Sequence, residues 1–265
     1  MHYGGFIGES RISKFIKNIN AINATTVPPF TRGSGIVLLG VSSAETDQPI
    51  RILCGLEARS SAISSFGGTC HAGEEPLRCA IRETIEEIFC IEPSQEELDA
   101  VVKYLKEDSQ LKYIYFINTQ IPTYIMDVSI LGNIIDKMHE AAPQKLVNRY
   151  LFENYVHSGY FTPSGPSVEY TNKLVPSKGK TIKLPHFMNT RDEYLASQAY
   201  NHPSTQKANK EIIFLSFPRL KQLQKSPTNY DIFNSVTNQR EIHRYRQFFE
   251  ILLNDIYTTY PALLT

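Results

Sequence analysis

GGTCHAGEEPLRCAIRETIEEIF, residues 67–89, is the stretch that decides the fold of this chain. Glu83, Glu86 and Glu87 recur at the i, i+3 and i+4 spacing of one helix face, so their carboxylates project close together. An apolar stripe with helical spacing runs on the other side, formed by Leu77, Ala80, Ile81, Ile85 and Ile88. The stretch therefore predicts a glycine-containing loop followed by an amphipathic helix with one acidic face.

The acidic face predicts a cation site. Like charges at these spacings oppose helix formation by roughly 0.2–0.5 kcal/mol per pair, so their grouping suggests a cation between them. Several carboxylates offering only oxygen ligands suit a hard divalent ion such as Mg²⁺ or Mn²⁺. A solvated acidic surface is the alternative, and three glutamates by themselves would favour it. The residues around them decide between the two interpretations.

Those surrounding residues form a wider pattern: Gly, five residues, Glu, seven residues, then Arg-Glu and two further glutamates. The pattern resembles the Nudix box, the signature of the Nudix hydrolase superfamily. Thr84 and Cys90 stand where bulky aliphatic residues are usual, and Phe89 replaces the closing glycine. Since a glycine ends a helix by adopting a left-handed conformation that phenylalanine avoids, we expect this helix to continue toward Pro93. The matching positions are Gly68, Glu74, Arg82, Glu83, Glu86 and Glu87.

The resemblance implies a role for each matching residue. Glu83, Glu86 and Glu87 would bind Mg²⁺ or Mn²⁺ and act in catalysis, with the backbone carbonyl of Gly68 as a further ligand. Glu74 and the catalytic Arg82 would organise the loop and helix through charge-assisted contacts, and Gly67 would allow the backbone to approach the metal. The implied reaction is attack of a metal-activated water on phosphorus.

The box leaves the general base and the substrate contacts open. Glu211, at the start of a late strand, is our candidate base, in competition with Asp127, Glu140, Glu153 and Glu169. His71, between Gly68 and Glu74, is a candidate phosphate contact, although an exposed loop histidine is the simpler interpretation. A sparse basic run near aromatic residues is a second candidate for substrate binding, with a solvated loop as its alternative; its members are Lys173, Lys178, Lys180 and Lys183.

The wider sequence predicts an α/β fold. The runs GIVLLGV and IRILCGLEA indicate two strands joined as a hairpin, and Ser94 with Glu97 has capping-box spacing for a second helix. LKYIYFINTQ and EIIFLSF indicate two further strands, and a C-terminal helix is predicted from Ile242. With the resemblance, this pattern implies a Nudix α/β/α sandwich, a mixed sheet between helices, with a partly helical insertion.

The domain division follows from these elements. Residues 1–31 are interpreted as an N-terminal arm, and residues 32–120 with 208–265 as the catalytic domain. Residues 121–207 would be an insertion that carries one helix, kinked near Pro143, and serves as a substrate-binding element.

Composition sets outer limits on the function. The chain has 265 residues with 42% hydrophobic and 20% charged, close to ordinary globular proteins, and a net charge of zero. No apolar run suits a signal peptide or a transmembrane helix, so we expect a cytoplasmic protein without a membrane partner. The cysteines form no CxxC pair, so we expect reduced thiols and no structural zinc at Cys54, Cys70, Cys79 and Cys90.

Two functional hypotheses follow. The first is a metal-dependent pyrophosphohydrolase that cleaves a phosphoanhydride in a nucleoside diphosphate-linked substrate, with capped RNA, and so RNA decapping, as one candidate. Nucleoside triphosphates, dinucleoside polyphosphates and diphosphoinositol phosphates are others, whereas the chain lacks the accessory signatures of ADP-ribose and NADH hydrolases. The second hypothesis is a non-catalytic Nudix-like module that binds RNA or a nucleotide within a larger assembly. The oligomeric state stays open.

Overall fold

The computed structural model describes ten main stretches of the chain and two short strands. Cys90, the arm 1–31, Lys178, Lys180 and most of the predicted insertion lie outside these residues. The described residues are 32–41, 49–89, 92–107, 112–115, 121–128, 130–141, 186–188, 194–195, 211–216, 218–225, 228–234 and 239–264.

A mixed, mainly antiparallel sheet forms the centre of the fold. Its strands follow the order β5-β6-β1-β2-β9-β7-β8, with β4 also pairing with β1 and β3 with β2. The pairs β1/β6 and β7/β9 are parallel, and the other pairs are antiparallel. The strands are β1 (Gly33–Val41), β2 (Ile50–Glu57), β3 (Ile63–Ser64), β4 (Phe66–Thr69), β5 (Lys112–Tyr115), β6 (Pro122–Asp127), β7 (His186–Met188), β8 (Tyr194–Leu195) and β9 (Ile212–Ser216).

Helices cover both faces of this sheet. Because successive strand residues point to opposite faces, Ile36 and Leu38 of β1 enter one core cluster while Val37 and Leu39 enter another. The first cluster includes residues of α1 (Pro76–Thr84), α2 (Gln95–Glu107) and α3 (Ile130–Ala141). The second includes residues of α4 (Leu220–Lys225), α5 (Gln247–Thr259) and the short 3₁₀ turn Pro261–Leu264. In the described part of the chain, no helix combines the length and apolar character needed to cross a membrane.

The first two helices form where the sequence predicts them. Helix α1 begins with Pro76 and continues past Thr84 as a wider π-helical turn, Ile85–Phe89, which carries Glu86 and Glu87. Helix α2 starts after a capping box: the Ser94 hydroxyl accepts the backbone N–H of Glu97 at 3.3 Å, and the Glu97 carboxylate accepts the backbone N–H of Ser94 at 2.7 Å. The apolar stripe of α1 is buried against the sheet, as its spacing predicts.

The C-terminal helix begins later than predicted. Residues 239–244 form strand β11, which pairs antiparallel with β10 (Asn229–Asn234), so Ile242 lies in a strand and is 74% exposed. Helix α5 starts only at Gln247, after Arg246. The prediction from Ile242 was wrong because the ladder with β10 satisfies this backbone, and local periodicity carries no information on that pairing.

The start of the predicted insertion belongs to the sheet. Strand β6 lies between β1 and β5, and Tyr124 and Met126 from it enter the first core cluster. Helix α3 adds Leu131, Ile134 and Met138 to the same cluster. A boundary at residue 121 is therefore too early, because residues 122–141 are core elements. An insertion that leaves this core intact would begin after Ala141.

A candidate metal centre beside a glycine strand

Two glycines of β4 lie tightly against β1. Gly35 pairs with Gly67 and Ser34 with Gly68. Gly67 has a φ of +140°, and a Cβ there would lie 2.5 Å from both the Ser34 carbonyl oxygen and the Gly35 Cα. Only glycine therefore fits at position 67. The close approach leaves the other side of the β4 backbone open toward α1.

Glu83 occupies that open side. A Cβ on Gly68 would lie 2.5 Å from Oε2 of Glu83, so the carboxylate rests directly on the glycine backbone. The side chain of Glu83 is 14% exposed. Burial raises the pKa of Glu83, and the nearby charge of Arg82 opposes the rise without cancelling it. Gly68 and Glu83, which the Nudix resemblance implied as metal ligands, therefore lie in direct contact.

Glu87 is the most deeply buried of the three acidic residues. It is 4% exposed, and its Oε2 accepts a hydrogen bond from the backbone N–H of Gly67 at 2.9 Å. Burial raises the pKa of Glu87 well above its ordinary range, and this hydrogen bond only partly offsets the effect. The negative charges of Glu83, Glu211 and Glu57 raise it further. A buried carboxylate surrounded by like charges requires a counter-charge to stay ionised.

Glu86 stands nearer to solvent. Its side chain is 30% exposed, and one oxygen accepts a hydrogen bond from Nη1 of Arg82 at 3.2 Å. Burial, with the charge of Glu83 as a further cause, raises the pKa of Glu86 to about 7, although Arg82 acts in the opposite direction. At neutral pH this carboxyl group is therefore poised between its protonated and charged forms.

Arg82 connects the loop to the acidic face. Its Nε donates to Oε1 of Glu74 at 2.9 Å and its Nη2 to Oε2 at 3.0 Å, while Nη2 also donates to the carbonyl oxygen of Thr69 at 3.0 Å. Nη1 binds Glu83 and Glu86 at 2.9 and 3.2 Å. Burial acts to lower the pKa of Arg82, but the carboxylates around it raise it, so the guanidinium stays charged.

Glu74 folds the loop back on itself. Its Oε2 accepts the backbone N–H of His71 at 2.9 Å, and its own N–H donates to the carbonyl of His71 at 3.0 Å. Burial acts to raise the pKa of Glu74, but the hydrogen bonds from Arg82 and His71 prevail and hold it below the ordinary value. The side chain of Glu74 thus holds the loop in its folded conformation. His71 itself is exposed.

The acidic group carries more negative charge than its nearby arginine can neutralise, which favours binding of a cation. The guanidinium of Arg82 pairs with three carboxylates, those of Glu74, Glu83 and Glu86, while Glu87 accepts a backbone hydrogen bond instead. Among the described residues, Glu83, Glu86 and Glu87 each accept hydrogen bonds through one carboxylate oxygen only. The remaining oxygens and the backbone carbonyl of Gly68 are of the chemical type that Mg²⁺ and Mn²⁺ prefer, although the ligand atoms of Glu83, Glu86 and Glu87 do not all lie within 4.8 Å of one another. The donor chemistry of these residues therefore fits a hard divalent ion.

Glu211 is exposed and acts electrostatically on this group. It precedes β9, and its carbonyl accepts the backbone N–H of Ala58 at 2.7 Å. Its charge raises the pKa of both Glu83 and Glu87, so it lies within electrostatic range of them. Of its competitors, Glu140 pairs with Lys137 on α3 at 2.6 Å and Asp127 ends β6, while Glu153 and Glu169 lie outside the described residues.

Glu57 is a member of the acidic group that the sequence did not reveal. It ends β2, its side chain is 13% exposed, and its charge raises the pKa of Glu87. It accepts hydrogen bonds from the Ser60 hydroxyl at 2.8 Å and from the Arg246 guanidinium. No local pattern marks Glu57, because its position depends on the pairing of β2 with β9.

Two thiols also approach the loop. The donor atoms of Cys70, Glu74 and Cys79 lie within 4.8 Å of one another. Both oxygens of Glu74 already accept hydrogen bonds from Arg82, and burial raises the pKa of the Cys79 thiol, which donates to the Gly68 carbonyl at 3.8 Å. These groups therefore support the loop rather than offering a ready thiolate site.

No family model matches the chain, and no curated protein matches it. What the site can do therefore rests on the residue pattern and on the geometry of Gly67, Gly68 and the acidic group.

Proposed function

We propose that this chain is a Nudix-type pyrophosphohydrolase that depends on Mg²⁺ or Mn²⁺ and cleaves a phosphoanhydride bond in a nucleoside diphosphate-linked substrate. The observation that carries the proposal is that Glu83 and Glu87 contact the backbone of Gly68 and Gly67, while Arg82 joins Glu86 to Glu83. The excess negative charge of these three glutamates over the single guanidinium of Arg82 supports divalent ion binding at this position.

Each residue has a distinct part in the proposed reaction. The three glutamates and the Gly68 carbonyl would hold the ion, which when bound supplies Lewis-acid stabilisation of the phosphoryl oxygens and lowers the pKa of water. Glu211 would accept the proton of the attacking water as the water oxygen bonds to phosphorus. The anhydride P–O bond breaks, and the leaving phosphate departs with the bonding electrons. Arg82 and Glu74 keep the loop in position.

The proposed function also includes a candidate for the complete substrate. Capped RNA is one nucleoside diphosphate-linked substrate that such a site would accept, and this would make the chain a decapping enzyme acting in the cytoplasm.

One specific contact favours the second hypothesis, a binding module without catalysis. Nη1 of Arg82 bridges Glu83 and Glu86, so a guanidinium partly neutralises two of the three acidic residues. If this bridge persists when divalent ions are supplied, the chain would bind a nucleotide or RNA without cleaving it. Metal dependence of turnover separates the two hypotheses.

The decisive experiment measures product release from nucleotides, dinucleoside polyphosphates and cap-labelled RNA, with Mn²⁺ or with chelator. Glu86→Gln and Glu87→Gln should each lower turnover by at least about 100-fold, because metal stabilisation of the transition state amounts to several kcal/mol and each 1.36 kcal/mol is tenfold. Glu75→Gln is the matched control, since Glu75 pairs with Lys106 at the surface just before α1. Unchanged turnover in both site variants would overturn the proposal, and release of a methylated guanosine diphosphate would identify capped RNA.

A further inference from the structure

A cleft opens beside the acidic group. It has a volume of about 230 Å³ and lies between the start of β1, strand β4 and the start of α5. That volume is below the roughly 300–1,000 Å³ of pockets that enclose a whole drug-sized ligand, so it suits one nucleoside rather than two. The lining residues that matter here are Arg32, Gly33, Gly67, Gly68, Arg246 and Phe248.

The cleft and the acidic group share a wall. Gly67 and Gly68 line the cleft, and the same two residues contact Glu87 and Glu83. The absence of side chains at these glycines leaves only backbone between the two spaces. A phosphate chain lying along Gly67 and Gly68 would therefore be separated from Glu83 and Glu87 by the glycine backbone alone.

The rest of the lining combines two guanidinium groups with an aromatic ring. Arg32 is exposed and forms no ion pair with another described residue. Arg246 also lines the cleft and binds Glu57 of the acidic group. Phe248 is half-buried, packing on the core beneath α5 while also lining the cleft. Basic groups beside an aromatic face suit a ligand with phosphates at one end and a planar base at the other.

We propose that this cleft binds the nucleoside 5′-diphosphate part of the substrate, with the base stacked on Phe248 and the phosphates along Gly67 and Gly68 toward Arg32. This inference rests on the proposed function for the direction in which the phosphates point. Arg246, held by Glu57, adds a second positive charge to the cleft lining. None of the three cleft side chains Arg32, Arg246 and Phe248 belongs to the Nudix-like pattern.

The chain offers a direct probe of this cleft, because it contains no tryptophan. Phe248→Trp places a single indole on the cleft wall, where a stacked base would quench its fluorescence. The ligands are the uncleavable α,β-methylene analogues of ADP and GDP, and methylenediphosphonate serves as the ligand without a base. Each is titrated with Mg²⁺ and with chelator. Tyr104→Trp, on helix α2, is the matched control because Tyr104 packs near α3 instead.

The expected result is saturable quenching of Phe248→Trp by both nucleotide analogues, no quenching by methylenediphosphonate, and no change in Tyr104→Trp. By calorimetry, Phe248→Ala should weaken binding of the analogues by about 5- to 150-fold without affecting methylenediphosphonate. Arg32→Gln, at an exposed position outside the core, should weaken all three ligands to a similar extent.

Two results would overturn the cleft proposal: saturable binding that leaves Phe248→Trp fluorescence unchanged, or unchanged affinity in folded Phe248→Ala. If the nucleotide analogues quench Phe248→Trp but the chain never releases product, the cleft proposal is supported and the hydrolase proposal is rejected. If the chain hydrolyses substrate but the analogues do not quench Phe248→Trp, the hydrolase proposal is supported and the cleft proposal is rejected. The two proposals therefore fail separately.

Discussion

Arg82 binds Glu74 through two parallel hydrogen bonds, Nε to Oε1 at 2.9 Å and Nη2 to Oε2 at 3.0 Å. The two side chains are only 10% and 6% exposed, respectively. This bidentate pair joins helix α1 to the loop that follows β4, and the same guanidinium reaches Glu83 and Glu86. Loop position and the charge of the acidic group therefore depend on one side chain.

Arg82→Lys should lower both stability and metal affinity. A lysine keeps the charge but cannot make the two parallel bonds, so we expect a loss of about 1.5–3 kcal/mol in the free energy of unfolding. Metal affinity should fall by roughly 10–100-fold, as when groups that orient metal ligands are removed. Urea unfolding in chelator and Mn²⁺ titration measure the two effects.

Arg78→Lys is the control for that variant. Arg78 lies on the same helix and binds Asp99 and Gln95, but Asp99 is 66% exposed. Because exposed ion pairs contribute little, we expect a change below about 1 kcal/mol and no change in metal affinity. Equal losses in both variants would contradict the special role of Arg82.

Gly68→Ala should weaken metal binding much more than it lowers the stability of the fold. The new Cβ would lie 2.5 Å from the Glu83 carboxylate, which is the end of a side chain and can move away. We expect Mn²⁺ affinity to fall by at least about tenfold while most of the stability is retained. Gly73→Ala is the opposite case, since Gly73 has a φ of +77° with no atom within 4 Å. It should cost about 1–2 kcal/mol of stability and leave Mn²⁺ affinity intact.

The features that could be predicted from the sequence are local ones. Helix α1 and the capping box of Ser94 and Glu97 each follow from spacing within one short segment, whereas the proximity of Gly68 to Glu83 was implied by the Nudix resemblance. Strand β11 could not be predicted, because local periodicity around Ile242 resembles that of the helix that follows and the pairing with β10 decides.

Long-range pairing accounts for the other features that were not predicted. Strand β6 belongs to the sheet because it lies parallel to β1, and a crossover of this kind leaves no local signal at residue 121. Glu57 joins the acidic group because β2 pairs with β9, where Glu57 faces Ile212. The Glu211 hypothesis rested only on its place before a strand, and the same pairing brings it near Glu83.

Glu211→Gln should lower turnover by about 10²–10⁴-fold, the usual contribution of a general base. Metal affinity should change little, since Glu211 is proposed to hold a proton rather than the ion. Glu140→Gln, which alters a surface ion pair with Lys137, should behave like the unaltered chain. A tenfold or larger loss in Glu140→Gln would contradict the assignment.

The raised pKa of Glu86 has consequences for stability without metal. A carboxyl group whose pKa is higher in the folded than in the unfolded chain stabilises the fold in its protonated form. For Glu86, with a pKa of about 7 against an ordinary 4.5, that contribution is complete below pH 4.5 and is lost as the pH rises through 7. Glu83 and Glu87 shift in the same direction. Glu74, whose pKa is lowered, loses its contribution only at more acidic pH.

In chelator, the chain should therefore be less stable at pH 8 than at pH 5.5, with a smaller difference in Glu86→Gln because that variant cannot ionise there. Mn²⁺ at about 100 times its dissociation constant should restore about 2.7 kcal/mol at pH 8, since it binds only the folded chain. At pH 5.5 the ion should stabilise less, because protons compete for the same oxygens. Urea midpoints at the two pH values, with and without Mn²⁺, measure all of these differences. A chelated chain that gains stability from pH 5.5 to 8, or an equal response to Mn²⁺ in Glu86→Gln, would mean that these carboxylates carry no excess charge for a cation to neutralise.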